Sequence, residues 1–227
     1  MGTVERKERE KESRKESIID AAQKVFFDKG LLLSTMDEIA EQAELAKGTL
    51  YLYYRSKEDL YLAVMMRGMS LLNDMFRSDI DARAPFIATL LNLGETYSKF
   101  YEEHKNYFRM MHFFETPQFH KQVSAEMRHS CDSVAQHLWD IVIEELKRGV
   151  RQGLVRDDLS PVEITIVLWS NATTLLMRID AQYDLWKETM NIDLKHTLQL
   201  STTLLIESIL TDKGKEELHR ILNTRYR

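Results

Sequence analysis

Residues 34–60, STMDEIAEQAELAKGTLYLYYRSKEDL, constrain this chain more than any other stretch. Thr35-x-x-Glu38 has the spacing of a capping box, in which each side chain satisfies an orphan backbone N–H at a helix start. Ile39, Ala40 and Ala43 then give a short helix one small apolar face. Glu44-Leu45-Ala46 leaves room only for a turn. A second short helix is predicted from Lys47 to about Tyr54, with Leu50 and Tyr54 spaced to pack inward. Ser56 starts a third, with Asp59 again at the capping-box position. Two short helices joined by a three-residue turn form the helix-turn-helix layout, whose second helix enters the major groove of DNA.

AKGTLYLYYRSKEDL resembles the recognition helix and following cap of the TetR family of bacterial one-component repressors. The likeness continues upstream through IIDAAQKVFFDKGLLLSTMDEIAEQA, so it spans roughly residues 14–62 without a gap. Glu44 stands where the family often has Gly, and Ala46 where it often has a hydroxyl residue. Glu44 forgoes the easy left-handed conformation of glycine, and Ala46 offers no oxygen as an N-cap. The resemblance implies an all-α chain with two domains. Residues 1–60 would be the helix-turn-helix domain, with 1–13 a charged arm, either helical or disordered. Residues 61–227 would bind an effector and dimerise. It further implies a homodimer on palindromic double-stranded DNA, acting as a repressor released by a small molecule of unknown identity.

Composition agrees with the all-α class: three prolines and eight glycines, against many Leu, Glu and Lys. Charge argues the other way for DNA binding. The chain carries a net −5, and residues 1–60 hold 11 Lys/Arg against 13 Asp/Glu, where a nucleic-acid-binding domain is usually basic. Placement resolves the conflict, because Lys47, Arg55 and Lys57 occur with no acid before Glu58. Lys47, near the recognition-helix N-terminus, is the candidate for base-edge readout, able to bond guanine O6 or N7. Thr49, Tyr51, Tyr53 and Lys57 are candidates for phosphates, with Arg14 at the start of the first helix and Thr35 at the start of the second. No apolar run approaches the 18 residues of a membrane helix. MGTVERKEREKES lacks the apolar core of a signal peptide and fails the myristoylation pattern at Arg6. The single Cys131 excludes an intrachain disulfide framework. The expected location is the cytoplasm, with no membrane partner and no cofactor.

Residues 4–16 alternate Glu with Lys and Arg and read as a solvated extension. An amphipathic helix is predicted from Ser17, through Ile18, Ile19, Ala22, Val25 and Phe26, to a stop at Gly30. Phe26, Phe27, Leu31 and Met36 should close a small core on Ile39 and Leu50. The helix capped by Ser56 should run to about Asp79, DARAP (81–85) should break the chain, and residues 86–103 should form the next helix. Tyr97–Phe114 then holds seven aromatics in 18 residues, with Met110 and Met111 among them. Such a cluster suits ordinary core or the wall of an apolar cavity, and the resemblance adds weight to the cavity. Its candidate lining is Phe100, Tyr101, Tyr107, Phe108, Met111 and Phe114, with Trp139.

Pro117 should open a long helix reaching Gly149 or Gly153, and Ser160-Pro161 should cap the next. Residues 162–179 and 193–211 are apolar nearly all round, which marks helices buried on more than one side. Their surplus faces suit a partner subunit. In the family the last two major helices form a four-helix dimer interface, here assigned to Leu168, Ala172, Leu175, Leu198, Leu205 and Ile209. GKEELHRILNTRYR should add a short amphipathic helix through Leu218, Ile221 and Leu222.

Two other classes compete. Glu126-x-x-His129 and Glu216-x-x-His219 match the Glu-x-x-His element of carboxylate-bridged di-metal helical bundles. With 21 Glu and 7 His in 227 residues, two such pairs are unremarkable. No phosphate loop, nucleophile elbow or zinc-protease motif occurs, and no metal ligands are assigned. A structural interaction protein could use short helix pairs for packing alone. It would not place Lys47, Thr49, Tyr51, Tyr53 and Lys57 outward together.

Overall fold

A computed structural model describes residues 3–114 and 122–225. Among them are ten helices and no strand, apart from one isolated bridge between Val155 and Leu210. In chain order they are α1 (Thr3–Leu33), α2 (Met36–Gln42), α3 (Lys47–Tyr51), α4 (Lys57–Asp79) and α5 (Phe86–Glu103). Then follow α6 (Lys105–Phe114), α7 (Ala125–Arg151), α8 (Pro161–Met190), α9 (Leu194–Ile209) and α10 (Asp212–Arg225). Pro117, where a long helix was expected to open, lies outside the described residues; residues 122–124 are not helical, and α7 starts at Ala125.

Capping chemistry sets many of these boundaries. Thr35 Oγ1 accepts from the Glu38 amide at 3.2 Å while Glu38 Oε2 accepts from the Thr35 amide at 3.0 Å, a complete capping box. Ser56 Oγ accepts from the Asp59 amide at 3.1 Å and opens α4. Asp193 caps α9 through the amides of Lys195 and His196. Ser160 precedes Pro161 without a side-chain bond. Gly30, at φ 69°, leaves the helical region and stops the regular part of α1, a conformation that glycine adopts without steric cost.

Three other boundaries differ from the sequence reading. α1 is helical from Thr3, well before Ser17, and its exposed charges pair at helical spacing, as in Arg6–Glu10 at 2.8 Å. α8 continues past 179 to Met190 and ends on Asn191 in the left-handed region. α3 stops at Tyr51, three residues before the expected end. Among the described residues α8 is also the one helix long and apolar enough to cross a membrane by length and composition.

The helices gather into two compact units. The first takes the described residues up to Leu71 together with His104–Ala135. Its core contains Ile18, Ala22 and Phe26 of α1, Ile39 of α2, Leu50 of α3, and Leu60, Val64 and Met65 of α4. Phe27 is half-buried and meets Tyr107 edge-on at 5.0 Å. Gly68 lets α6 lie directly on α4, since a Cβ there would stand 2.5 Å from the Tyr107 ring. Arg67 joins α4 to α1 through Glu16 at 2.6 Å, Asp20 at 2.7 Å and Gln23 at 3.0 Å.

The second unit is Leu72–Glu103 with Gln136–Arg227. Phe86, Ile87, Leu146, Ile164, Ile206 and Leu218 are buried in one cluster there. Glu145, 6% exposed, forms a fork with Arg148, which also donates to the Ala84 carbonyl at 3.1 Å. α10 covers α5 as the tail helix anticipated from Leu218, Ile221 and Leu222.

Candidate nucleic-acid interface

The first unit presents α3 after a turn that side chains staple only weakly. Leu45 N–H closes on the Ala40 carbonyl at 2.9 Å, and Glu44 takes φ 55°. A non-glycine residue in that conformation costs roughly 1–2 kcal/mol. Ala46 gives α3 no side-chain cap, so both departures from the family pattern weaken the local structure. Tertiary packing holds it instead, through Leu50, fully buried, and Tyr54, 3% exposed. The Tyr54 hydroxyl has no hydrogen-bond partner among the described residues, and its pKa is raised by burial.

Burying Leu50 and Tyr54 turns Lys47, Gly48, Tyr51 and Leu52 to solvent, with Thr49 and Tyr53 half-buried at the edges. Lys47 does not stand alone. Its ammonium meets Asp37 of α2 at 2.6 Å, which raises the lysine pKa. Lys57 is held too: Nζ donates to the carbonyls of Leu31 and Ser34, each at 3.0 Å. Two of its three protons therefore brace the turn between α1 and α2, leaving one for an outside acceptor. Thr35 is held by its capping box, and Lys29 adds an ion pair to Glu38 at 2.6 Å. Arg14 lies exposed on α1.

Sequence spacing missed three features of this surface. Asp37 as the partner of Lys47, and the carbonyls as acceptors for Lys57, depend on how separate segments meet. Gly48 had a usable signal in its helical position. It has no positive φ and nothing lies within 4 Å of where a Cβ would stand. The chain's own packing therefore does not require a glycine there, although glycine weakens a helix.

The aromatic segment divides between the two units. Phe100 and Tyr101 are buried in the second, where the Tyr101 hydroxyl donates to Asp180 at 3.3 Å. Tyr107 and Phe108 are buried in the first, and the Tyr107 hydroxyl donates to Gln23 at 2.7 Å. Met111 and Trp139 are half-buried, and Trp139 meets Trp169 edge-on at 5.2 Å. The side chain of Phe114 lies outside the described residues.

Of the residues assigned to a subunit interface, Leu198 and Ile209 are buried within their own chain, and Leu168 packs on its core cluster. Ala172, Leu175 and Leu205 are half-buried. The exposed large apolar side chains of α8 and α9 are Val162, Ile166, Val167, Trp169, Leu185, Met190, Leu200 and Leu204. An open apolar cavity of about 160 Å³ lies between these helices, lined by Ile164, Val167, Leu168, Leu205 and Ile209 among others.

Glu126 and His129 are exposed on α7, and His219 bonds Glu207 at 2.8 Å. Among the described residues no three His, Cys, Asp or Glu side chains are placed to hold a metal. Burial pushes the Cys131 thiol up to about 12.

A short helix displayed from a capped three-helix scaffold, with a second all-helical unit, defines a helix-turn-helix DNA-binding regulator. Residues 18–64 match the family model for "Bacterial regulatory proteins, tetR family". The chain is 27% identical over 143 residues to the "Fatty acid metabolism regulator protein" of Bacillus subtilis, covering 63% of this chain and 71% of that protein. It is 28% identical over 133 residues to the "HTH-type transcriptional activator FasR" of Mycolicibacterium smegmatis, covering 58% of this chain and 60% of that one. The structure of FadR from Bacillus subtilis in complex with stearoyl-CoA superposes with a TM-score of 0.66 at 20% identity, over 85% of this chain and 98% of that chain. Residues 18–64 are thus a TetR-family DNA-binding domain, and the chain is similar over more than half its length to TetR-type transcriptional regulators.

Proposed function

We propose that the protein is a homodimeric repressor that reads a palindromic operator through α3 and leaves it when an apolar effector binds. The observation that carries this reading is the outward face of α3. Lys47, Gly48, Tyr51 and Leu52 project from a helix whose other side is fixed by Leu50 and Tyr54. Lys47 exchanges Asp37 for a base edge. Gly48 admits the groove wall close to the helix backbone. Thr49, Tyr51, Tyr53 and Arg14 take phosphates, and Lys57 gives its remaining proton to another. Thr35 sets the start of α2.

Functionally, residues 1–60 form the reading head and residues 61–227 the effector and dimer region. Val162, Ile166, Leu200 and Leu204, all 47–57% exposed, supply the apolar surface that a second subunit covers. Full burial of an apolar side chain of this size contributes about 1.5–3 kcal/mol, so covering the half still exposed contributes roughly half of that for each. Phe100, Tyr101 and Trp139, the candidate lining residues that fall in the second unit, form one wall of the effector site. The stearoyl-CoA in the Bacillus subtilis FadR complex makes long-chain acyl-CoA the first class to test. The protein works in the cytoplasm and carries out no catalysis.

Full-length protein should select a duplex with two inverted half-sites about 34–36 Å apart from a random-sequence pool. It should sediment as a dimer without DNA, repress transcription from a template carrying the selected site, and release that site on adding stearoyl-CoA. Failure to select any duplex sinks the DNA-reading role. Selection with no response to acyl-CoA of any length sinks the effector class alone.

A further inference from the structure

Leu52 is 83% exposed, the most exposed of the large apolar side chains on the described residues. It sits at the C-cap of α3 with helical φ −71° and ψ −23°, so it continues the face formed by Lys47, Gly48 and Tyr51. Its backbone N–H closes the helix on the Thr49 and Leu50 carbonyls, a task any residue but proline performs. The fold therefore gives no use to an isobutyl group here.

The chemistry of base edges gives one. A leucine can neither donate nor accept a hydrogen bond. Set against guanine O6 and N7, adenine N6 and N7 or cytosine N4, it would strip water from a polar atom and return nothing. The major groove offers one apolar feature, the C5-methyl of thymine.

We infer that Leu52 is a specificity-determining residue that packs on a thymine methyl in each half-site, so that the operator carries a fixed A·T pair there. This rests on the DNA-reading role proposed for α3 and deepens it. Lys47 then selects by hydrogen bonding near one end of the helix, and Leu52 by shape and apolarity at the other.

Replacing thymine by deoxyuridine removes the methyl and leaves pairing intact, which gives a direct test. Each thymine of the duplex selected by the wild-type protein is replaced in turn, singly and in both half-sites, and binding is read by fluorescence anisotropy. Wild type should lose about fourfold at one particular thymine per half-site, and about 15-fold when both are changed, as burial of a single methyl implies. Leu52→Ala, whose thermal midpoint should be unchanged, should be indifferent to that replacement. Leu52 is not a methyl reader if no thymine is sensitive, or if every sensitive thymine stays equally sensitive in Leu52→Ala. Tight selection with either of those results refutes the Leu52 assignment alone; no selection at all removes the α3 reading with it.

Discussion

Gly48→Ala should stabilise the protein and weaken its grip on DNA. No backbone strain or clash opposes the added methyl, because Gly48 has no positive φ and nothing lies within 4 Å of the Cβ position. Replacing a helical glycine by alanine gains roughly 0.5–1 kcal/mol. For a chain of this size that raises the thermal midpoint by about 1–4 °C. On the operator the sign reverses. A methyl forced between helix and groove wall acts like an overpacked interior, at about 1–3 kcal/mol for each copy. Two copies in a dimer then raise Kd by at least about 30-fold. Circular dichroism melts and fluorescence anisotropy against the wild-type-selected duplex measure the two effects. A variant that melts higher yet binds as tightly as wild type would show that α3 does not approach DNA at position 48. A lower melting point would refute the packing argument itself.

Asp37→Asn releases Lys47 from its 2.6 Å ion pair. The pair is exposed and adds little to the fold, so its loss should leave the melting point unchanged while the operator binds modestly more tightly; weaker binding would mean that Asp37 orients the lysine. Lys57→Ala removes the donors of two backbone carbonyls and should lower the thermal midpoint, while the log–log salt slope of operator binding falls by about two, one for each subunit. A lower midpoint with an unchanged slope would make Lys57 a positioning residue only. Glu38 is held below its ordinary pKa of 4.5 by Lys29 and the Thr35 amide. Its contribution to stability is therefore complete above pH 4.5 and lost as pH falls through the lower folded value. Acid melts should drop less steeply for Glu38→Gln than for wild type, and equal slopes would exclude the capping box as a source of acid sensitivity.

The parts of the fold that local chemistry decides were legible in the sequence. Thr35 with Glu38 and Ser56 with Asp59 mark helix starts within a turn of themselves, and Phe86–Glu103 lies between a proline break and a polar end. Features decided between segments were not. Nothing in the spacing of 162–179 or 193–211 tells which side of a helix apolar all round faces its own core. Leu198 and Ile209 turn inward, whereas Leu200 and Leu204 turn out. Aromatic density likewise could not reveal that Phe100 and Tyr107 belong to different units. The extended α1 arose from Glu and Lys/Arg pairing at helical spacing, a signal equally compatible with a disordered chain. At the interface, residue type nominated Lys47 and Lys57, but Asp37 and two carbonyls determine what those ammonium groups have left to offer.

The central claim is that the outward face of α3 distinguishes one DNA sequence from another. It is tested most directly by titrating wild type and the double variant Lys47→Ala, Leu52→Ala against the selected duplex and a scrambled one, at a single salt concentration. Wild type should prefer the selected duplex by at least about 10³-fold. The double variant should keep its melting point and dimeric state while that ratio collapses toward one. A double variant that retains the full ratio would contradict the account, because sequence would then be read by some other surface.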